Sequence, residues 1–241
     1  MNSYAIVLAS GGGLRFGASD MSKHLTPING IPMIVWTVEA IIASNIFDKV
    51  IVVTAVDSLQ ETRGAIGSYF NTQETMVSCV AGAEERMHSF SNGYFSLTDS
   101  TVLNDDDVVV LIDANRPFVE SAQLTKIVYE SSRVGCACLA RPVVNGVAKI
   151  SGTSIVEVPE KSQYVEFVTP EGILNKSINT LCPTDDFSLP SLVDLALSLD
   201  IQPRYIAANE RNSKLTYPED LPFFERLQKK YQITPPLLRN D

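Results

Sequence analysis

The stretch Ala5-Ile-Val-Leu-Ala-Ser-Gly-Gly-Gly-Leu-Arg15-Phe-Gly17 decides how the rest of the chain is read. Ala5 to Ala9, all apolar or small, predict a short buried strand. Ser10, Gly11, Gly12 and Gly13 then turn the backbone into a loop with almost no side-chain bulk. Backbone N–H groups in such a loop approach a phosphate closely, and Arg15 and Lys23 place two cations beside it. On spacing alone the same residues also describe an ordinary Gly-rich turn between a strand and a helix.

Working outward, the chain alternates strand-like and helix-like segments. Pro27 to Met33 reads as a turn, and Pro32 opens a helix whose apolar residues Ile34, Trp36, Val38 and Ile41 recur at helical spacing to about Ala43. The β-branched run Val50 to Thr54 predicts a buried parallel strand, followed by a helix over Leu59–Phe70 and a strand over Met76–Ala81. Gly82 to Arg86 makes a turn before a helix from Met87 to Leu97. Asp105, Asp106 and Asp107 read as a solvated turn because adjacent carboxylates repel one another. Val108 to Ile112 is the most strand-like run, and it ends in Asp113-Ala-Asn-Arg116-Pro117. Ligands bind beyond the carboxyl ends of strands in open parallel sheets, so Asp113 and Arg116 fall where chemistry is placed. A turn carboxylate paired with Arg116 is the simpler alternative for Asp113.

Further on, Ser121–Ser132 predicts a helix and Gly135–Ala140 a strand. From Pro142 to Thr169 the pattern breaks into short β-prone pieces, an arm-like excursion that suits either a second subunit or solvent. Helices are expected over Pro170–Asn179 and Ser191–Leu199, a strand over Arg204–Ala207 and a closing helix over Tyr217–Tyr231. Residues 1–231 are expected to form one domain with the arm at about 142–169, and 232–241 a loose tail.

Composition narrows the function classes. With 45% hydrophobic and 20% charged residues the chain has a soluble, globular make-up. No apolar segment approaches the length of a membrane span, and no signal-peptide pattern precedes the first strand, so a cytoplasmic location is expected. A net charge of −9 argues against nucleic-acid binding while leaving room for a focused anion pocket. Only two histidines and four cysteines without a C-x-x-C pair leave little for a zinc site, and the cysteines read as buried thiols.

Four ordered segments together resemble the family of 2-C-methyl-D-erythritol 4-phosphate and ribitol-5-phosphate cytidylyltransferases. These are Leu8-Ala-Ser-Gly-Gly-Gly-Leu-Arg15-Phe-Gly with Ser22-Lys23-His24; Gly82-Ala-Glu-Glu-Arg86-Met-His-Ser89; Asp113-Ala-Asn-Arg116-Pro117-Phe118; and Asn212-Ser-Lys214-Leu-Thr216-Tyr-Pro-Glu219-Asp220-Leu221. The resemblance implies a Rossmann-like nucleotidyltransferase (GT-A-like) α/β fold, with a mostly parallel twisted sheet flanked by helices and a small β-arm. It implies transfer of CMP from CTP to the phosphate of a small polyol phosphate, with release of pyrophosphate, by a homodimer.

By resemblance, Arg15, Lys23 and Lys214 are the catalytic cations, and Ala9, Ser10, Gly11, Gly12, Gly13, Gly82, Ala83, Arg86 and Ser89 bind the nucleotide. Arg116, Lys161 and Thr169 bind the acceptor, and Asp113 is the carboxylate nearest a Mg2+ ion. The chain departs from the family in having one extra residue between Arg15 and Lys23, Ser22 for a loop proline and Ile112 for a histidine. It also has Asn145-Gly146 where Asp-Thr is usual. The nucleotide half is thus better matched than the acceptor half. The alternatives left open are a different phosphorylated acceptor and a nucleotide-binding module without turnover. A dinucleotide-binding fold fits poorly, since Ser10-Gly-Gly-Gly lacks the G-x-G-x-x-G spacing.

Overall fold

The computed structural model describes residues 1–11, 22–71, 77–181 and 187–237. In chain order the strands are β1 (Ser3–Leu8), β2 (Pro27–Ile28), β3 (Ile31–Pro32), β4 (Lys49–Thr54), β5 (Val77–Ala81) and β6 (Val108–Asp113). There follow β7 (Cys136–Pro142), β8 (Lys149–Ser151), β9 (Ser154–Glu157), β10 (Val165–Leu174) and β11 (Arg204–Ala207). The helices are α1 (Met33–Ala43), α2 (Leu59–Gly67), α3 (Arg86–Ser100), α4 (Ser121–Val134), α5 (Asn175–Ile178), α6 (Leu192–Ser198) and α7 (Leu221–Lys230).

A seven-stranded sheet in the order β11-β7-β10-β6-β1-β4-β5 forms the centre. All its pairings are parallel except those of β10, which runs antiparallel between β6 and β7. Strand residues alternate between the two faces. Ala5, Val7 and Ala9 pack beneath α1, α2 and α4, whereas Tyr4, Ile6 and Leu8 pack beneath α3 and α6. Each fully buried Val, Leu or Ile contributes about 1.5–3 kcal/mol. Gly93 lets α3 lie directly on the sheet, since a Cβ there would stand 2.7 Å from Val53 Cγ2 and 2.8 Å from Ile6 Cγ2. A third cluster, of Ile28, Met33, Trp36, Phe118, Leu215, Phe224 and Leu227, fastens the C-terminal part of the chain to α1 and the segment after β6.

The sequence expectation and the structure differ in several places. Pro170–Asn179 is not a helix: β10 continues to Leu174 and only Asn175–Ile178 is helical. The strand prevails because its residues fill the slot between β6 and β7 on both sides, with an irregularity between Val168 and Glu171 taking up Pro170. Asp107 is not solvated: it is fully buried, with Oδ1 accepting from the Asn2 N–H at 2.7 Å and Oδ2 from the Asn104 N–H at 2.8 Å. The closing helix starts at Leu221, after a 3-10 turn over Pro218–Asp220 whose Asp220 carboxylate accepts the Thr216 and Tyr217 N–H groups.

The arm is shorter than the expected 142–169, because Pro142 ends β7 and residues 165–169 belong to β10, paired with β7 in the central sheet. Strands β8 and β9 pair only with each other, and both are exposed along their whole length. Cys79, Cys136 and Cys138 are buried free thiols, and Cys182 lies outside the described residues.

Candidate active site

The strand order reverses at β1, whose neighbours β4 and β6 lie on opposite sides, and this is where an open α/β sheet leaves a crevice. Leu8, the last residue of β1, is in register with Asp113, the last of β6. The Gly-rich loop therefore leaves the sheet directly beside Asp113, fixed by Ala9 N–H to Val53 O at 2.7 Å and Ala114 N–H to Leu8 O at 2.9 Å. Ala9, Ser10 and Gly11 are at this mouth; Gly12, Gly13 and Arg15, and the extra residue before Lys23, lie outside the described residues.

Ser89 ties the loop to the turn after β5. Its fully buried hydroxyl donates to Ala83 O at 2.9 Å and accepts from Ala83 N–H at 2.9 Å and from Ser10 Oγ at 2.8 Å. Gly82 is confined to glycine by this contact, because a Cβ would stand 2.8 Å from both Ser10 Cβ and Ser89 Oγ. The structure thus brings Ser10, Gly82, Ala83 and Ser89 together, with the Ser89 hydroxyl spent on tying the two segments to each other.

Asp113 is the centre of charge. Its Oδ2 lies 3.2 Å from Lys214 Nζ, its Oδ1 lies 3.4 Å from Arg86 Nη2, and Arg116 Nε stands 3.8 Å away. Burial pushes the Asp113 carboxyl up, but the charges of Lys214, Arg86 and Arg116 outweigh it and hold it below the usual carboxylate range. Arg86 is shared with Glu171 at 3.2 Å. The Glu171 carboxylate also accepts the Leu192 and Val193 N–H groups at the start of α6. Burial raises the Arg86 neighbour Glu171, whereas the two carboxylates outweigh burial at Arg86 and raise it. Glu171 escapes a sequence reading because Pro170 disguises the strand that carries it; the period-two alternation of β10 is its only signal.

Lys214 comes from the far end of the chain and is placed by its neighbours. Leu215 is fully buried against Trp36, Phe118 and Phe224, and its N–H donates to Asn115 O at 2.9 Å. Asn212 donates to Thr169 O at 2.8 Å and accepts from Arg116 Nη1 at 2.6 Å through its own carbonyl. Arg116 Nε donates to Thr169 Oγ1 at 3.0 Å. Lys23 begins a 3-10 turn anchored by buried His24 and Leu25, and its Nζ donates to Thr216 O at 3.2 Å, so Lys23 and Lys214 flank one opening. Asn115 Oδ1 and Asn212 Oδ1 are buried acceptors without a partner among the described residues.

His24 itself is wedged among hydroxyls, with Nε2 at 2.7 Å from Thr62 Oγ1 and 3.3 Å from Thr54 Oγ1. Burial pushes its pKa down to about 4, so the ring is neutral near pH 7. Lys161 is not brought to Arg116 and Thr169: it sits on the exposed arm, with its Nζ donated to Val144 O at 3.3 Å. Asn145 and Gly146 are likewise exposed at the base of the arm, while Ile112 points away from Asp113 into the core.

A mostly parallel sheet with a Gly-rich loop and a cation-ringed carboxylate at its switch point defines an α/β nucleotidyltransferase. The chain belongs to the IspD family, 2-C-methyl-D-erythritol 4-phosphate cytidylyltransferase, whose model matches residues 3–229. It is 25% identical over 231 residues to the ribitol-5-phosphate cytidylyltransferase of Lactiplantibacillus plantarum, covering 94% of this chain and 98% of that protein. It is 29% identical over 241 residues to the 2-C-methyl-D-erythritol 4-phosphate cytidylyltransferase of Geobacillus kaustophilus, covering 94% and 97%. The fold matches the 4-diphosphocytidyl-2C-methyl-D-erythritol synthase of Anaerococcus prevotii with a TM-score of 0.77 at 18% identity, covering 95% and 98% of the two chains. The chain is a CTP-dependent cytidylyltransferase acting on a polyol phosphate. No helix among the described residues is long and apolar enough to cross a membrane.

Proposed function

We propose that the acceptor is a small acyclic polyol phosphate, either 2-C-methyl-D-erythritol 4-phosphate or a pentitol phosphate such as ribitol 5-phosphate, and that the enzyme is a magnesium-dependent cytoplasmic homodimer. The observation that carries this reading is the convergence of Lys214, Arg86 and Arg116 on Asp113 beside the loop mouth. Two polyanions must meet in this reaction, and fixed cations in a part-buried site offset their repulsion without reorganising at the moment of transfer. An oxygen of the acceptor phosphate attacks the α-phosphorus of CTP, the bond to the β-phosphate oxygen breaks, and pyrophosphate leaves with that electron pair. Lys23 and Lys214 take up the charge that grows on the α-phosphoryl oxygens.

In this reading Lys214, with a side chain 43% exposed, holds Asp113 until the triphosphate draws it away. Asp113 suits a magnesium that keeps mostly phosphate and water ligands, since one carboxylate is the usual protein share in such sites. No group of three His, Cys, Asp or Glu among the described residues forms a protein cage for it. When bound, the ion screens the triphosphate charge and makes pyrophosphate a better leaving group. The arm exposes Ile150, Ile155, Val156 and Val158, an apolar run that a second copy of the chain is proposed to cover.

Pyrophosphate release from CTP with each polyol phosphate in turn tests this. Turnover with one of the two acceptors identifies the substrate. Binding of CTP without release in the presence of either one overturns the acceptor assignment.

A further inference from the structure

A second guanidinium stands at the carboxyl edge of the sheet and belongs to none of the segments that carry the family resemblance. Arg141 is the penultimate residue of β7, in cross-strand register with Glu166 near the start of β10. The pair is bidentate: Nε lies 2.9 Å from Glu166 Oε2 and Nη2 lies 3.1 Å from Oε1. Three residues along the same strand, Thr169 Oγ1 accepts from Arg116 Nε at 3.0 Å. Arg116 thus reaches β10 from the β6 side and Arg141 reaches it from the β7 side, bound to residues three apart in the first half of one strand.

The two are close enough to feel each other. Burial comes first in lowering the Arg116 pKa; Asp113 opposes it, Arg141 adds to it and Glu166 opposes it in turn. Like charges brought together at a ligand edge need an anion between them. Glu166 supplies part of that charge and is itself 57% exposed, while Arg141 is 37% exposed, so the pair is open to solvent. An ion pair of this exposure contributes little to stability and is readily exchanged for a better anion. A phosphate monoester carries two negative charges and accepts forked N–H donors from two sides, which suits two guanidiniums better than one carboxylate does.

We propose that Arg141, together with Arg116, grips the phosphate of the acceptor, and that Glu166 holds the Arg141 guanidinium extended until that phosphate replaces it. This rests on the reading of the acceptor as a phosphorylated polyol. It assigns to the main sheet the cation that Lys161, out on the arm, does not supply within this chain. The sequence signal is slight: an arginine directly before Pro142-Val143, at the carboxyl end of a buried strand.

Two substitutions with opposite expected signs test it. At saturating CTP, Arg141→Ala is expected to raise the KM for the accepted polyol phosphate by about 10- to 100-fold, the loss of a charge-assisted hydrogen-bond pair. Its KM for CTP is expected to stay within about twofold, and Arg141→Lys to recover part of the loss as a point charge. Glu166→Gln is expected to lower the acceptor KM, because it removes the competitor. If Arg141→Ala leaves the acceptor KM unchanged, or if both substitutions raise it alike, the pair is structural and the proposal falls. Calorimetric titration with ribitol 5-phosphate and with 2-C-methyl-D-erythritol 4-phosphate separates this from the functional reading. Arg141-dependent binding without turnover upholds the phosphate site and removes the transfer reaction; turnover with Arg141-independent binding does the reverse.

Discussion

The two halves of the site are built differently. On the side proposed to hold the nucleotide, Ser10, Gly82, Ala83 and Ser89 are cross-linked by hydrogen bonds and too tightly packed to admit a methyl group at Gly82, and Asp113 is ringed by three cations. On the side proposed for the acceptor, Lys161, Asn145 and Gly146 lie on an exposed arm whose strands pair only with each other, and Arg141 is held by an open ion pair. In the proposed reading, a tightly packed nucleotide side and an open acceptor side fit a reaction in which the nucleotide is constant and the polyol differs among the named relatives. The difference also sets where substitutions act: on the first side through chemistry and folding, on the second through selectivity and assembly.

The largest effect is expected at the charge centre. Lys214→Ala should lower kcat by about 10²- to 10³-fold, the cost of removing one donor from a developing charge. The melting temperature should move little, since the lysine is half-exposed and Asp113 retains Arg86 and Arg116. A steady-state assay beside a thermal melt separates the two; a rate near that of the parent would remove Lys214 from the chemistry.

Next in size is the loss of neutral His24. Its folded pKa, about 4, lies below the ordinary 6.5, so the unfolded chain binds the proton first as pH falls. The sign is therefore a loss of stability on acidification between about pH 6.5 and 4, amounting to about 3 kcal/mol in all. Urea unfolding across this window should show that slope in the parent protein and lack it in His24→Gln. Ser89→Ala follows, leaving the Ala83 N–H and the Ser10 hydroxyl without their shared partner. We expect about 1–3 kcal/mol of lost stability and a raised KM for CTP, with the KM for the acceptor unchanged. The smallest effect on folding is expected on the arm: Ile155→Ser should change stability by less than about 0.5 kcal/mol. Sedimentation should nevertheless show it shifting the proposed dimer towards monomer, and an unchanged sedimentation coefficient would uncouple the arm from assembly.

Much of this was legible in the sequence because local physics and fold agreed. The β-branched runs of β1, β4 and β6 are buried on both faces, so their composition alone declares them, and Asp113 follows at a strand's carboxyl end. Lys214 was legible only through its surrounding motif; its placement depends on Leu215 entering a cluster built by Trp36, Phe118 and Phe224 from distant segments. The part of β10 from Pro170 onward reads locally as a helix because a strand that inserts antiparallel into a parallel sheet is selected by its two neighbours, which no local window contains. Glu171 and the Arg141–Glu166 pair were hidden for the same reason, being products of register. Asp107 looked solvated beside Asp105 and Asp106, and only the return of the N-terminus, through Asn2, buries it.

The most direct test of the central claim, that the switch-point site joins CMP to a polyol phosphate, is phosphorus NMR of the protein with CTP, magnesium and each polyol phosphate. The account predicts that the acceptor monoester signal is lost as the paired signals of a CDP-linked product and free pyrophosphate grow in equal amounts, and that Lys214→Ala suppresses both together. CTP and monoester signals that persist unchanged with both acceptors, in a protein that still binds CTP, would contradict it.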